Sequence, residues 1–193
     1  MHEDGYWLQR IWQGDKAAFE QLYEKYSKPL FRAVLGITRD HAAAEEILQE
    51  SFVRLYQHAR KLDPERPVLP WLHRVAINLS YNWIVRDRMR FTSLDYLVEH
   101  WRIRLTHKIE VDKEVEQRER INVVHAAIAK LDFDQRVVIV LFYLQGMSLA
   151  EISDTLTIPI GTAKSRLHYA RKALERTLLA DAKFTVEVSY EPL

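Results

Sequence analysis

The sequence predicts an all-α protein with two small helical domains joined by a linker, and three observations lead to this fold class. Apolar residues recur at helical spacing along most of the 193 residues, and strand-like alternation is confined to residues 184–190. Glycine and proline are scarce, at 5 and 6 residues, which favours long helices over a loop-rich β-sandwich. The helical period is lost between residues 91 and 112, and this loss divides the chain in two.

The N-terminal half contains helical segments separated by polar or proline-containing breaks. Asp15 is a plausible N-cap for the first segment, an interruption is expected at Ser27 to Pro29, and Asp40 begins the next segment. Residues 61–70 hold three prolines and are expected to form a loop. Beyond the loop, one helical stripe contains Leu72, Val75, Ala76, Leu79 and Trp83.

These patterns set the expected boundaries along the chain. The first domain covers residues 1–90, the linker 91–113, the second domain 114–181 and the tail 182–193. The second domain opens with a helix through Ile121, Val124, Ile128 and Leu131, and another runs from Val137 to Leu144. For the tail, a frayed end is favoured over a short edge strand.

Residues 146–174 carry the pattern of a helix-turn-helix. Ser148 and Glu151 form a capping box, and Gly146 suits the left-handed position that ends the preceding helix. A turn at Thr157 to Pro159 separates this short helix from a long one that starts near Gly161. Between residues 164 and 176 there are five basic residues and one acidic residue, so DNA binding is favoured over an ordinary solvated basic helix.

The same region resembles region 4 of the extracytoplasmic-function sigma factors of bacterial RNA polymerase. Their pattern is roughly LPxxxRxVxxLxxxEGxSxxEIAxxLGxPxGTVKSRLxRARxxL, and residues 131–174 here read LDFDQRVVIVLFYLQGMSLAEISDTLTIPIGTAKSRLHYARKAL. The match has no gap and is therefore specific. Its departures from the pattern are Asp132, Gln145, Thr157, Ala163 and Tyr169.

The first half carries an independent resemblance to the same family. GDKAAFEQLYEKYSKPLFRAVLGITRD is similar to region 2.1, AAAEEILQESFVRLYQHARKLD to region 2.2, and PWLHRVAINLSYNWIVRDRMR to regions 2.3 and 2.4. Tyr56 stands where the family usually has an aromatic residue. Together the two resemblances cover about residues 13–90 and 115–178.

The resemblance implies a sigma factor that binds core RNA polymerase and directs promoter-specific transcription initiation in the cytoplasm. Its implied partners are the β′ clamp helices and β flap of the polymerase, promoter DNA and an anti-sigma factor. Polymerase contacts would lie at Leu48, Gln49, Glu50 and Arg54. Contacts to the −10 element would lie at Lys61, Arg74, Asn78, Tyr81, Asn82, Arg86, Arg88 and Arg90. Contacts to the −35 element would lie at Thr162, Lys164, Ser165, Arg166, His168, Tyr169, Arg171 and Lys172.

The chemistry of these residue types suits the implied roles. Arg74, Asn78, Tyr81 and Asn82 fall on one helical face, opposite the apolar stripe. An asparagine amide can pair with a base edge through two hydrogen bonds, and arginines can contact phosphates. This face is therefore suited to bases that have left the stacked duplex.

Composition and motifs argue against other classes of protein. The chain lacks cysteine, so it has neither disulfides nor thiolate metal sites, and it has no run of 18 apolar residues. Basic and acidic residues are balanced at 28 and 27, and the start is not a secretory signal. No motif of an enzyme, cofactor site or metal site is found. The alternatives are a stand-alone helix-turn-helix regulator with an N-terminal helical sensor or partner-binding domain, and a decoy that only titrates anti-sigma proteins.

Overall fold

The computed structural model describes residues 3–90 and 123–180, and these residues are helical and contain no strand. The N-terminal domain consists of α1 (Glu3–Trp12), α2 (Lys16–Thr38), α3 (His41–His58) and α4 (Leu69–Arg90), with a 3-10 turn at Ala59–Lys61. In the C-terminal domain, α5 covers residues 123–129 and α6 covers Phe133–Ile139, which continues as a π-helical stretch at Val140–Leu144. α7 (Leu149–Leu156) and α8 (Ile160–Leu179) follow. The all-α fold class is confirmed, while the predicted linker and tail lie outside the described residues.

Helix α1 is not predicted by the sequence pattern, which places the first helix after Asp15. It is only ten residues long, and its buried face combines Leu8 and Ile11 with the polar Asp4 and with Gly5. Because this face includes a carboxylate and a glycine, the sequence shows no apolar stripe at helical spacing here, and no helix is predicted.

Helix α2 is continuous, so the interruption expected at Ser27 to Pro29 is wrong. Pro29 lies inside the helix, where it removes one backbone hydrogen bond. Leu22 and Tyr26 precede the proline, Leu30 and Val34 follow it, and all four are buried in one core. Burial of this shared face offsets the cost of proline, which is about 3 kcal/mol in a helix interior.

The predicted N-caps of the N-terminal domain are confirmed. The Asp15 carboxylate accepts hydrogen bonds from the backbone N–H groups of Ala17 and Ala18, at 2.9 and 3.4 Å. Asp40 accepts from the N–H of Ala43 at 2.7 Å. Behind these caps, the core includes the fully buried Leu22, Leu30, Leu55 and Leu72, and Trp71 and Trp83 pack against it.

The helix-turn-helix is formed by α7 and α8 and begins at the predicted capping box. The Ser148 hydroxyl accepts from the N–H of Glu151 at 3.3 Å, and the Glu151 carboxylate accepts from the N–H of Ser148 at 2.8 Å. Gly146 has a φ of 66°, as its predicted position requires. Thr157 ends α7 with a φ of 56°, a conformation that disfavours a β-branched residue.

We expect Ser148→Ala to lower the free energy of unfolding by about 1 kcal/mol, because the N–H groups at the start of α7 lose their side-chain acceptor. Urea denaturation of the full chain measures the change. Ser165→Ala is the matched control, since this exposed serine donates to the carbonyl of Gly161 within α8 and caps no helix start. Equal unfolding midpoints for Ser148→Ala and the parent would contradict the capping role.

The two domains pack against each other through a second hydrophobic cluster. Ala33, Ile37 and Ile77 of the N-terminal domain share this cluster with C-terminal residues that include Val138 and Ile152. Arg136 of α6 is 8% exposed and donates hydrogen bonds to three carbonyl oxygens. One acceptor is Ile37 in the N-terminal domain, at 2.9 Å, and the others are Ala129 and Leu131. The described parts of the two domains therefore form a closed arrangement.

Candidate promoter and polymerase interfaces

A cavity of about 220 Å³ opens beside the proline-containing loop at residues 62–68. Its wall is mainly apolar and includes Leu8, Leu62 and Trp71. Lys61, Arg66 and Arg74 also line it, together with Asp63, which forms an ion pair with Arg66 at 3.4 Å. Three cations and one carboxylate therefore border the opening. A small, partly apolar pocket bordered by cations suits a flat aromatic ring attached to a phosphate backbone.

The predicted polar face of α4 is confirmed as an exposed surface beside this cavity. Arg74, Asn78, Tyr81 and Asn82 are all exposed, and Arg86 extends the surface toward the end of the helix. Lys61 is exposed at the other end, in the 3-10 turn. Arg88 and Arg90 belong to α4, but their side chains lie outside the described part of the chain.

In the closed arrangement, part of this face contacts the helix-turn-helix. The Arg74 guanidinium donates to the carbonyl oxygens of Asp154 and Thr155, at 2.9 and 3.0 Å, in the last turn of α7. Carbonyls at the end of a helix carry its partial negative charge, so a cation suits this position, even though the Asp154 carbonyl also accepts from the N–H of Thr157 at 3.3 Å. The ring of Tyr81 lies edge-on to Phe133, with centroids 5.2 Å apart. Arg74 and Tyr81 remain partly exposed, but their contacts with α7 and Phe133 must break before both side chains are entirely free to bind DNA.

Helix α8 separates a buried side from an exposed, largely polar side. Ala163, Leu167 and Ala170 are buried, as a helix that docks by one face requires. The opposite side, which is free to enter a major groove, presents most of the predicted −35 residues. Its exposed members are Lys164, Ser165, His168, Tyr169, Arg171 and Lys172, and Thr162 is partly exposed.

Two of the predicted −35 arginines already have partners within the protein. Arg166 forms an ion pair with Asp134 of α6 at 2.6 Å, and its side chain is only 28% exposed. Arg171 lies over the rings of Phe142 and Tyr143, 5.2 and 5.5 Å from their centroids. Arg171 remains exposed, whereas Arg166 must leave Asp134 before it can contact DNA directly.

Helix α3 presents three of the four predicted polymerase contacts. Gln49 is exposed, and the half-buried Glu50 and Arg54 form an ion pair at 2.7 Å. Leu48 is different, because it is 8% exposed and packs in the domain core. The Leu48 side chain is therefore used within the protein in this structure, and its predicted contact with the polymerase stays a prediction.

The sequence reasoning overlooked exposed apolar residues on the same helix. Val53 is 47% exposed, and Tyr56, noted only as the family's usual aromatic, is 51% exposed. Tyr56 borders a groove of about 400 Å³ that Phe19 and Tyr23 also line. The sequence does indicate that Val53 is exposed, because Val53 lies off the apolar stripe of α3 and cannot face the core.

Among the described residues, no cluster of histidine and acidic side chains is suited to hold a metal ion. None of the described helices combines the length and the hydropathy that a membrane span requires.

Comparison with known proteins supports the interpretation of both domains. The family models for Sigma-70 region 2 and Sigma-70 region 4 match residues 22–91 and 121–174. ECF RNA polymerase sigma factor SigW of Bacillus subtilis is 31% identical over 181 residues, which cover 89% of this chain and 94% of SigW. ECF RNA polymerase sigma factor SigL of Mycobacterium tuberculosis is 34% identical over 165 residues, which cover 85% of this chain and 90% of SigL.

Solved structures agree with these sequence matches. CnrH, in complex with the cytosolic domain of CnrY, aligns with a TM-score of 0.68 and 25% identity, covering 93% of this chain and 99% of CnrH. The sigma factor RpoE of Bartonella quintana has the same fold, with a TM-score of 0.62 and 20% identity over 84% of this chain and 98% of RpoE. The chain belongs to the extracytoplasmic-function (ECF) family of RNA polymerase sigma factors.

Proposed function

We propose that this sigma factor uses three separate surfaces to bind core RNA polymerase, the −10 element and the −35 element. The exposed side of α3, with Gln49, Glu50 and Arg54, binds core RNA polymerase. The loop at residues 62–68 and the polar face of α4 capture the opened −10 element. The exposed side of α8 reads the −35 duplex, and the chain itself catalyses no reaction.

The observation that best supports this proposal is the cavity beside the loop, next to the polar face of α4. Extrusion of a base from a duplex costs a few kcal/mol, which contacts to the free base must offset. The apolar wall and Trp71 offer surface to a base, while Lys61, and Arg74 once it leaves the end of α7, offer charge to its phosphates. Asn78, which lies one helical turn after Arg74, adds an amide that can pair with a base edge.

The closed arrangement adds a conformational step to promoter opening. Arg74 and Tyr81 contact the C-terminal domain in this structure, so these two side chains of the −10 face are released from those contacts as the domains separate. Separation also exposes Ile77, which is 7% exposed in the closed form. Contacts to polymerase and to both promoter elements must compensate for this lost burial.

A protein partner that holds the factor inactive is part of the proposal. The related CnrH was solved with the cytosolic domain of CnrY bound to it. By analogy, an anti-sigma protein would bind this chain, and the chain would act in the cytoplasm with the polymerase.

For the −35 element, we expect Arg171→Ala to weaken binding to duplex DNA by about 1–3 kcal/mol if the guanidinium reads a base. If it contacts a phosphate, the slope of log K against log salt should fall in magnitude by about 0.9. Arg166→Ala should have the smaller effect, because Arg166 is paired with Asp134. Salt titrations of fluorescently labelled −35 duplex measure both changes. Parental affinity and salt slope in both variants would contradict the assignment of α8 to the groove.

A binding assay with purified core RNA polymerase tests the proposal as a whole. We expect the full chain to form a stable complex with core enzyme in the absence of DNA. A chain that binds −35 duplex but not core enzyme would instead be a stand-alone helix-turn-helix regulator.

A further inference from the structure

Helix α1 forms part of the floor beneath the loop at residues 62–68. Leu8 is fully buried and lines the cavity beside the loop. Gly5 lies so close to the loop that an added Cβ would be 1.9 Å from the carbonyl oxygen of Pro64. Any larger residue at this position would therefore move either α1 or the loop.

Both ends of the loop are tied to α1 by hydrogen bonds. Before the loop, the Arg60 guanidinium donates to the carbonyl oxygen of Trp12 at 3.1 Å. At its far end, the N–H of Val68 donates to the carboxylate of Asp4 at 2.8 Å. Val68 directly precedes α4, and its carbonyl accepts the first hydrogen bond of the helix, from the N–H of Leu72 at 3.0 Å. The contact with Asp4 therefore fixes both the end of the loop and the start of α4.

Asp4 is a buried carboxylate, and both of its oxygens accept hydrogen bonds. Tyr26 donates its hydroxyl to both oxygens, at 2.7 and 2.8 Å, and the Lys25 ammonium donates to one of them at 2.8 Å. Burial works to raise the pKa of Asp4, but the hydrogen bonds from Lys25, the Val68 N–H and Tyr26 outweigh it and lower the pKa. The side chain is therefore ionised at neutral pH and anchors the loop as a charged acceptor.

From this geometry we infer that Asp4 is a positioning residue for promoter opening, which holds the loop through the Val68 N–H in the shape that receives an extruded −10 base. The inference rests on the role proposed above for the loop and α4. The match to the Sigma-70 region 2 model begins at residue 22, so it does not include α1.

The physical reason is preorganisation. A loop that is already held in its binding conformation pays less conformational entropy when it captures a base. Without the Asp4 anchor, the loop and the first turn of α4 would have to order at the moment of capture. The anchor should therefore strengthen the binding of unstacked DNA and leave the −35 contacts of α8 unaffected.

The test uses Asp4→Asn in full-length chain assembled with core RNA polymerase. Asparagine keeps the size of aspartate, but its amide nitrogen must face a donor from Lys25, Tyr26 or Val68. The probe is a single-stranded −10 oligonucleotide with 2-aminopurine at the extruded position, whose fluorescence reports capture. Because the Val68 N–H loses a charged acceptor, we expect binding about ten-fold weaker than parent, with −35 binding and core affinity unchanged.

Two matched variants separate positioning from stability. Glu3→Gln removes the exposed partner of Lys25 on the same helix but leaves the bond to Val68, so capture should be parental. Tyr26→Phe removes a different donor to Asp4 and should lower the melting temperature while capture at 20 °C remains near parental. If capture falls in proportion to lost stability in Tyr26→Phe and Asp4→Asn alike, Asp4 has only a structural role and the inference is overturned.

Variants of the proposed −10 surface distinguish failure of this inference from failure of the proposed function. Lys61→Ala and Asn78→Ala should both weaken capture of the oligonucleotide. If these two variants weaken capture and Asp4→Asn does not, Asp4 has no positioning role, while the proposed −10 surface is supported. If neither of them weakens capture, the proposed −10 surface is wrong.

Discussion

Replacing Asn78 with alanine is expected to reduce open-complex formation by about ten-fold to a hundred-fold, which corresponds to the loss of one amide–base pair of hydrogen bonds. Asn78 is exposed on α4, one turn after Arg74 and one turn before Tyr81. Its amide has no base to contact while the duplex is stacked, so its contribution arises only in the open complex. Binding to core polymerase and to −35 duplex should therefore stay near parental levels.

Permanganate footprinting on one strong promoter measures this effect through the reactivity of unpaired thymines. A −10 bubble that is melted in advance should restore part of the loss, because the cost of unstacking is then already met. Gln21→Ala provides a control, since this exposed amide lies on α2, outside the three proposed surfaces. Equal thymine reactivity for Asn78→Ala and the parent would remove Asn78 from the proposed −10 site.

Arg136→Ala is expected to lower the free energy of unfolding by about 3 kcal/mol, since three carbonyl groups, two of them buried, lose a charged donor. These carbonyls belong to Ile37, Ala129 and Leu131, so the substitution affects both the C-terminal domain and its contact with α2. Burial of the guanidinium makes water a poor substitute for the missing donor.

Guanidinium chloride denaturation followed by circular dichroism measures the stability of the parent and the variant. Arg136→Lys should fall between them, because an ammonium keeps the charge but cannot reproduce the planar geometry of three separate donors. Lys130→Ala, at an exposed position near the same carbonyls, should leave stability unchanged within about 0.5 kcal/mol. An Arg136→Ala midpoint equal to that of the parent would contradict the structural role given to this arginine.

The features of the fold that follow from the sequence are those determined by local chemistry. The capping box at Ser148 and Glu151, the N-caps at Asp15 and Asp40 and the turn at Thr157 all depend on neighbours within a few residues. Pro29 is different, because the cost of a proline in a helix is local, whereas the burial of Leu22 and Leu30 that offsets it is tertiary. Helix α1 escapes prediction for a related reason, since Asp4 is stabilised by Tyr26 and Val68, which are distant in sequence.

The same distinction applies to the candidate surfaces. Helical periodicity correctly separates the buried Leu167 and Ala170 of α8 from its exposed basic side. It could not predict that Arg74 would donate to the end of α7, because this contact joins residues 80 and 81 positions apart. Ile77 gives a partial indication of the domain contact, since it is an apolar residue that lies off the main apolar stripe of α4 and yet is buried. An apolar residue on an otherwise polar face can thus mark a domain contact.

The central claim is that this chain gives core RNA polymerase its choice of promoter, and run-off transcription from a genomic promoter library tests it most directly. Purified core enzyme would be assayed alone, with the parent chain, and with Asn78→Ala. We predict discrete transcripts that require the parent chain, start at a common distance from a shared pair of upstream elements, and are strongly reduced by Asn78→Ala. Transcription that is no more selective with the chain than with core enzyme alone would contradict the account.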